Sequence, residues 1–191
     1  MINMAVQLLA GQLNQYLRRT YDLNEDVVVI SNLVDLDGSV APNVNNKMVV
    51  FLTSIEKDSV PFRQVMPGQV EGQRLPESRL PIYLNLQIMM AANFNGNNYP
   101  EALKFISSTI IFFQRHSLFN HQVTPELDER IEKLFLEVEN LTIQDLSNLW
   151  GTLGGKYIPS VLYKVRVVAF DTEEVVGQIP VVRNPSSSMK G

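Results

Sequence analysis

The sequence contains no cysteine. That one absence removes disulfide-stapled scaffolds, thiol catalysis and zinc sites built on cysteine. It also fits a reducing compartment. Histidine is nearly as scarce, with only His116 and His121. They are five positions apart, so they do not share a helical face at the i, i+4 spacing of a metal-binding pair. Long apolar runs are missing too. Nothing reaches the about 18 uninterrupted apolar residues that span a membrane, and no basic segment precedes the mildly apolar N-terminus as in a secretion signal. Positive charge is in short supply. The 16 Lys and Arg are outnumbered by 20 Asp and Glu, for a net charge of -4. A generic nucleic-acid binder needs a basic surface to neutralise phosphates, so that class is disfavoured. These absences lead to the expectation of a chain made in the cytoplasm, with no nucleic-acid or membrane partner.

What is present is enough for a core. With 191 residues and 45% hydrophobic content, a chain buries about 70% of its unfolded surface and needs no staple. Residues 1–170 are expected to form one domain. Residues 58–81 should be an extended loop within it, and residues 171–191 a C-terminal arm and tail.

Ile2, Val6, Leu9, Leu13 and Tyr16 recur at alternating spacings of four and three, which predicts an amphipathic helix over Ile2–Arg19. Val27–Val34 is rich in β-branched residues and predicts a strand, as does Lys47–Lys57. The two are expected to pair as a hairpin. Between them, Asp35–Ser39 carries Asp-x-Asp-Gly but lacks the other ligands of a calcium loop, so it reads as a turn. Asp58–Pro81 holds four prolines and admits neither a long helix nor a central strand.

Ile82–Phe94 alternates strictly. Ile82, Leu84, Leu86, Ile88 and Met90 point one way and Tyr83, Asn85, Gln87 and Met89 the other, which predicts the strand at the sheet's centre. Pro100 opens a helix to His116, with Leu103, Ile106, Ile110 and Phe113 on its apolar face. Ile131–Leu141 reads as a strand with a helix as the alternative. Thr142 and Asp145 resemble a capping box that starts a short helix to Trp150. Ser160–Phe170 is a strand, with Val161, Tyr163, Val165 and Val167 opposed to Leu162, Lys164 and Arg166. The fold class is therefore α+β: a mixed, mainly antiparallel sheet covered by two or three helices, with a C-terminal arm.

Catalytic motifs fail one by one. "NLWGTLGGKYIPS" ends a glycine-rich stretch in Gly-Lys, as a phosphate loop does. Such a loop needs glycine where Trp150 stands and a small hydroxyl where Tyr157 stands, and it follows a strand rather than a helix. Ser54-Ile-Glu-Lys57 matches Ser-x-x-Lys but lies mid-strand without companion motifs. His116 sits at a helix C-terminus, where the dipole favours a cation. The glycines are read as structural: Gly151 or Gly154 supplies a positive-φ cap, Gly155 continues the turn, and Trp150 anchors a core or faces an interface.

Several of these segments belong together as a set. "IYLNLQIMMAANF", "NYPEALKFISSTIIFFQ" and the run from Leu127 to Arg166 resemble the cap, or tail-terminator, proteins of phage-tail-like contractile injection systems of the antifeeding-prophage type. The block Leu146–Gly151, Leu153–Tyr157, Pro159–Val161 and Tyr163–Arg166 carries the resemblance most specifically. It implies a structural protein rather than an enzyme, with no cofactor and no metal. It implies a homo-hexameric ring that ends the inner tube and holds the last sheath ring, with tube and sheath proteins as partners. The chain would then be part of a particle assembled in the cytoplasm, with release from the cell left open. Larger members of that family carry further C-terminal domains, whose functions the resemblance does not extend to this sequence.

The residues expected at the tube or at a neighbouring subunit are Lys156, Tyr157, Lys164, Arg166, Arg63, Arg74 and Arg79. Val175, Val176, Ile179, Val181 and Val182 are expected to form an arm that adds a strand to the sheath. The alternatives are another ring or connector component of the same particle, and a hydrolase using His116 or His121.

Overall fold

A computed structural model describes residues 1–35, 37–58, 81–94, 96–154 and 156–169. Three helices and six strands follow in the order α1 (Ile2–Tyr21), β1 (Val28–Ile30), β2 (Lys47–Lys57), β3 (Ile82–Asn93), α2 (Tyr99–Arg115), β4 (Leu118–Asn120), β5 (Ile131–Val138), α3 (Ile143–Thr152) and β6 (Ser160–Ala169). The strands form one sheet in the order β1-β2-β3-β6-β5-β4. All neighbours pair antiparallel except β1 and β2, which are parallel. The fold is α+β with a mixed, mostly antiparallel sheet, as expected.

The sheet is central because its strands are apolar at alternate positions, and in their upper halves at nearly every position. On the first face, Leu86, Ile88 and Met90 of β3 join Tyr163, Val165 and Val167 of β6 beneath Leu9, Leu13 and Leu17 of α1 and Phe105, Phe112 and Phe113 of α2. Aromatic pairs tie the two helices together: Tyr16 stacks on Phe112 with ring centroids 4.8 Å apart, and Tyr21 meets Phe105 at 4.9 Å. Tyr163 lies beneath Phe113. Burial pushes its phenol pKa well above the usual value, so it stays neutral.

On the second face a smaller core gathers Val49 and Phe51 of β2, Met89 and Ala91 of β3, Leu162 of β6 and Trp150 of α3. Ala41 and Val44 close it from the connection between β1 and β2. Trp150 is a core residue, the first of the two expected readings.

Three expectations need correction. The first two strands are not a hairpin. Asn14 of α1 accepts hydrogen bonds from the backbone N–H groups of Val27 (2.9 Å) and Val28 (3.1 Å). The helix thereby holds the start of β1, which pairs parallel with β2.

The first strand also stops at Ile30 rather than Val34. Beyond it, Val34 bridges Val40, and the Asp35 N–H donates to the Ser39 carbonyl at 2.8 Å. Asp37 Oδ1 accepts from the Ser39 amide at 2.9 Å, and Gly38 has φ 82°. This is a turn built on an aspartate side chain, not a calcium loop.

The third correction concerns α2. Its buried residues include Ala102, Phe105, Thr109, Phe112 and Phe113, while Leu103 and Ile110 are exposed. Thr109 can be buried because its hydroxyl donates to the Phe105 carbonyl at 2.8 Å, and Ser108 shares a 2.7 Å hydrogen bond with the Tyr21 hydroxyl.

Thr142 caps α3 as expected, but the Asp145 carboxylate accepts from the Thr142 hydroxyl rather than closing a full capping box. The Asp145 N–H donates to Thr142 Oγ1 at 3.1 Å, and the two side chains meet at 2.6 Å. At the other end of α3, Gly154 takes φ 102° and supplies the positive-φ position after the helix. Gly151 lies inside α3, and Gly155 lies outside the described residues.

Candidate interface surface

The helix α3 packs over Met89 and Leu162 of the second sheet face through Trp150. Past them that face carries Asn85, Gln87, Lys164 and Arg166 together with the buried Val168. Strand pairing lays its side chains out in rows. One row runs Glu56, Asn85, Arg166, Phe135 from β2 through β3 and β6 to β5. The next runs Ser54, Gln87, Lys164, Glu137.

Two residues expected at an interface, Lys164 and Arg166, therefore stand two positions apart on β6 and point to the same side. Arg166 reaches diagonally to Glu137, with Nη2 3.6 Å from Oε2. That contact is partly exposed, so it contributes about 0–1 kcal/mol and leaves the guanidinium able to take another acceptor. Asn85 is only 6% exposed, yet its Oδ1 has no hydrogen-bond partner among the described residues. Gln87 Oε1 and Arg166 Nε are in the same position. Unspent polar atoms at such density are uncommon in native structures and call for an explanation.

Lys156 and Tyr157 lie elsewhere, on the connection from α3 to β6. Both are exposed, and the Tyr157 ring stands edge-on to Trp150 at 5.7 Å and 73°. The structure thus separates the expected interface residues into two groups at different heights of the second face. Arg63, Arg74 and Arg79 lie outside the described residues, as do Val175, Val176, Ile179, Val181 and Val182.

Asn85 and Gln87 were not singled out from the sequence as site residues. Their signal was two polar residues on the non-core side of an apolar strand. His116 behaves as expected of a helix-end residue, whereas His121 lies in the turn after β4. His116 caps α2, its Nδ1 3.0 Å from the Phe112 carbonyl and its ring tilted over Phe112 at 4.8 Å. Among the described residues no cluster of acidic and histidine side chains could hold a metal ion, and no helix is long and apolar enough to cross a membrane.

Comparison with known proteins places this geometry. The profile of the Pvc16 N-terminal domain family matches residues 5–184. The chain belongs to that family. A solved structure described as the sheath/tube terminator of PVC, an extracellular contractile injection system, in its extended state, has a similar fold. The TM-score is 0.59 at 17% identity, over 100% of this chain and 64% of that one. The anti-feeding prophage cap, described as a tube terminating cap, matches with a TM-score of 0.57 at 16% identity, over 93% of this chain and 59% of that one. This Pvc16-family chain thus spans less than two thirds of either neighbour. Comparison with curated proteins finds no match. The resemblance drawn from the sequence, to terminators of contractile injection systems, agrees with both findings.

Proposed function

We propose that this chain acts as the terminator cap of a contractile injection system. It would close the end of the inner tube and hold the last ring of sheath, by binding and geometry rather than by catalysis. The observation that carries the reading is that both structural neighbours are described as terminators and cover 93% or more of this chain. Ring assembly is part of the proposal: six copies around the tube axis, in an extracellular particle like that of the first neighbour.

The polar stretch of the second sheet face supports contact with a neighbouring protein, because the partly exposed Lys164 and Arg166 present donors there, beside Asn85 and Gln87, whose side-chain oxygens have no partner among the described residues. Lys156 and Tyr157 form a second contact point. The segment holding Val175, Val176, Ile179, Val181 and Val182 is proposed as the sheath-contacting arm, bound by main-chain pairing.

Deleting the gene should give tubes and sheaths of uncontrolled length, scored by electron microscopy. Particles of normal length would refute the cap and favour another ring or connector component. Truncation after Asp171 should leave a folded chain that still caps the tube but does not retain sheath. Unchanged sheath retention would refute the arm.

A further inference from the structure

Between α1, α2 and the β4 region lies a cleft of about 490 Å3. Its rim carries Arg19, Arg115 and His116, and no carboxylate lines it. Neither arginine has a hydrogen bond or ion pair to a described residue. The nearby Glu126 is engaged by the Gln12 side chain. The floor is apolar, with Tyr16, Phe112 and Phe119 beside the exposed Leu118 and Val123. In a chain of net charge -4, two arginines with no acidic partner beside an apolar floor form a distinct receptor. Helix dipoles explain why arginines end α1 and α2. They do not explain the exposed Leu118 and Val123 beside that floor.

A complementary surface stands on the opposite side of the sheet. Ile143 opens α3 and is 89% exposed, the highest value among the exposed large hydrophobic residues. Glu139 and Asp145 flank it, and no lysine or arginine occurs from Glu139 to Gly155. It is an exposed apolar residue in an acidic stretch of chain, opposite in charge to the arginines of the cleft.

We propose that the Ile143 knob of one copy seats in the Arg19–Arg115–His116 cleft of the next. The two surfaces differ and lie on opposite sides of the sheet, so the contact is heterologous, the kind that builds a ring when the rotation between copies closes. Apolar burial holds the knob, and the opposed charges choose its partner and register. This inference rests on the ring reading of the proposed function and supplies its interface.

The absence of cysteine makes the test clean, because introduced thiols are the only ones present. In the full chain carrying Val123→Cys and Gln144→Cys, both at exposed positions and with Ile143 left in place, mild oxidation should produce a ladder of linked copies. Adding Arg115→Glu should cut the yield about fivefold, and adding Glu139→Lys as well should restore it. Lysine-directed cross-linking in parallel measures association of any kind, with and without purified inner tubes. Lysine-linked oligomers without cysteine-linked ones would overturn this interface and leave the terminator reading standing. A chain that stays monomeric under both chemistries, tubes present or absent, would overturn the interface and the ring together.

Discussion

Trp150→Ala tests whether α3 is held by its own core or by a partner. The side chain is 4% exposed and sits among Val49, Phe51, Met89, Ala91 and Leu162. It is the only fully buried residue of α3, with Leu146 and Leu149 of the same helix packed partly buried against the same core. Truncating a buried tryptophan to alanine costs about 3–5 kcal/mol, through lost burial and the cavity left behind. In a chain of 191 residues each kcal/mol lowers the melting temperature by about 2–4 °C, giving an expected fall of about 6–20 °C. Trp150→Phe keeps an aromatic ring and removes an indole N–H that has no partner among the described residues, so it should cost only about 1–2 kcal/mol. Thermal melts followed by circular dichroism measure both variants without relying on the tryptophan itself. A Trp150→Ala protein melting within about 2 °C of the parent would refute the core assignment and make this ring an interface residue.

The glycines of the α3 terminus should behave oppositely to one another. Gly154→Ala forces a side chain onto φ 102° and brings its Cβ to 3.2 Å from Val34 Cγ2, costing about 1–3 kcal/mol in urea unfolding. Gly151→Ala, in a helix with open space around it, should stabilise by about 0.5–1 kcal/mol. Tyr163→Phe removes a buried hydroxyl with no partner among the described residues, so stability should hold or rise by up to about 1 kcal/mol. The parent protein, whose phenol pKa is raised by burial above its ordinary 10.0, should lose stability as pH climbs beyond that value, and the variant should lose less. Asp128 shows the reverse sign. Hydrogen bonds from the Arg130 side chain and backbone hold its carboxyl below its ordinary 3.8, so its contribution is present above that pH and fades as pH falls below it. Asp128→Asn should flatten the acid limb of a stability-against-pH curve.

Much of this fold was legible because its longer strands carry their own signal. Lys47–Lys57 was read to the residue and Ile82–Phe94 to within one, since β-branched runs and a period of two need no tertiary information. The Thr142 cap of α3 was legible for the same reason, being local chemistry. The parallel pairing of β1 was not, because the start of β1 is held by Asn14, which contacts Val27 and Val28 only after α1 has packed. The buried face of α2 was missed because apolar residues occur all round "KFISSTIIFF". The deciding contacts were Tyr16 and Tyr21 of another helix, together with two hydroxyls that pattern reading counts as polar. Lys164 and Arg166 were legible as a pair on one face, whereas Asn85 and Gln87 became site residues only once β3 was placed beside β6. The basic cleft was invisible for a related reason: Arg19 and Arg115 are 96 positions apart in sequence and meet only across α1 and α2.

The β2–β3 ladder has a consequence for how this chain can be altered. The Asp58 N–H donates to the Tyr83 carbonyl at 3.1 Å, so the chain leaves and re-enters the sheet at two adjacent points. Residues 59–80 are thus an excursion whose entrance and exit are already joined by backbone hydrogen bonds. The entropy of closing such an excursion grows only with the logarithm of its length, about 0.6 kcal/mol per doubling. Changes of chain length between Asp58 and Tyr83 therefore cost little in closure entropy, because the strands are already paired on either side of those two points.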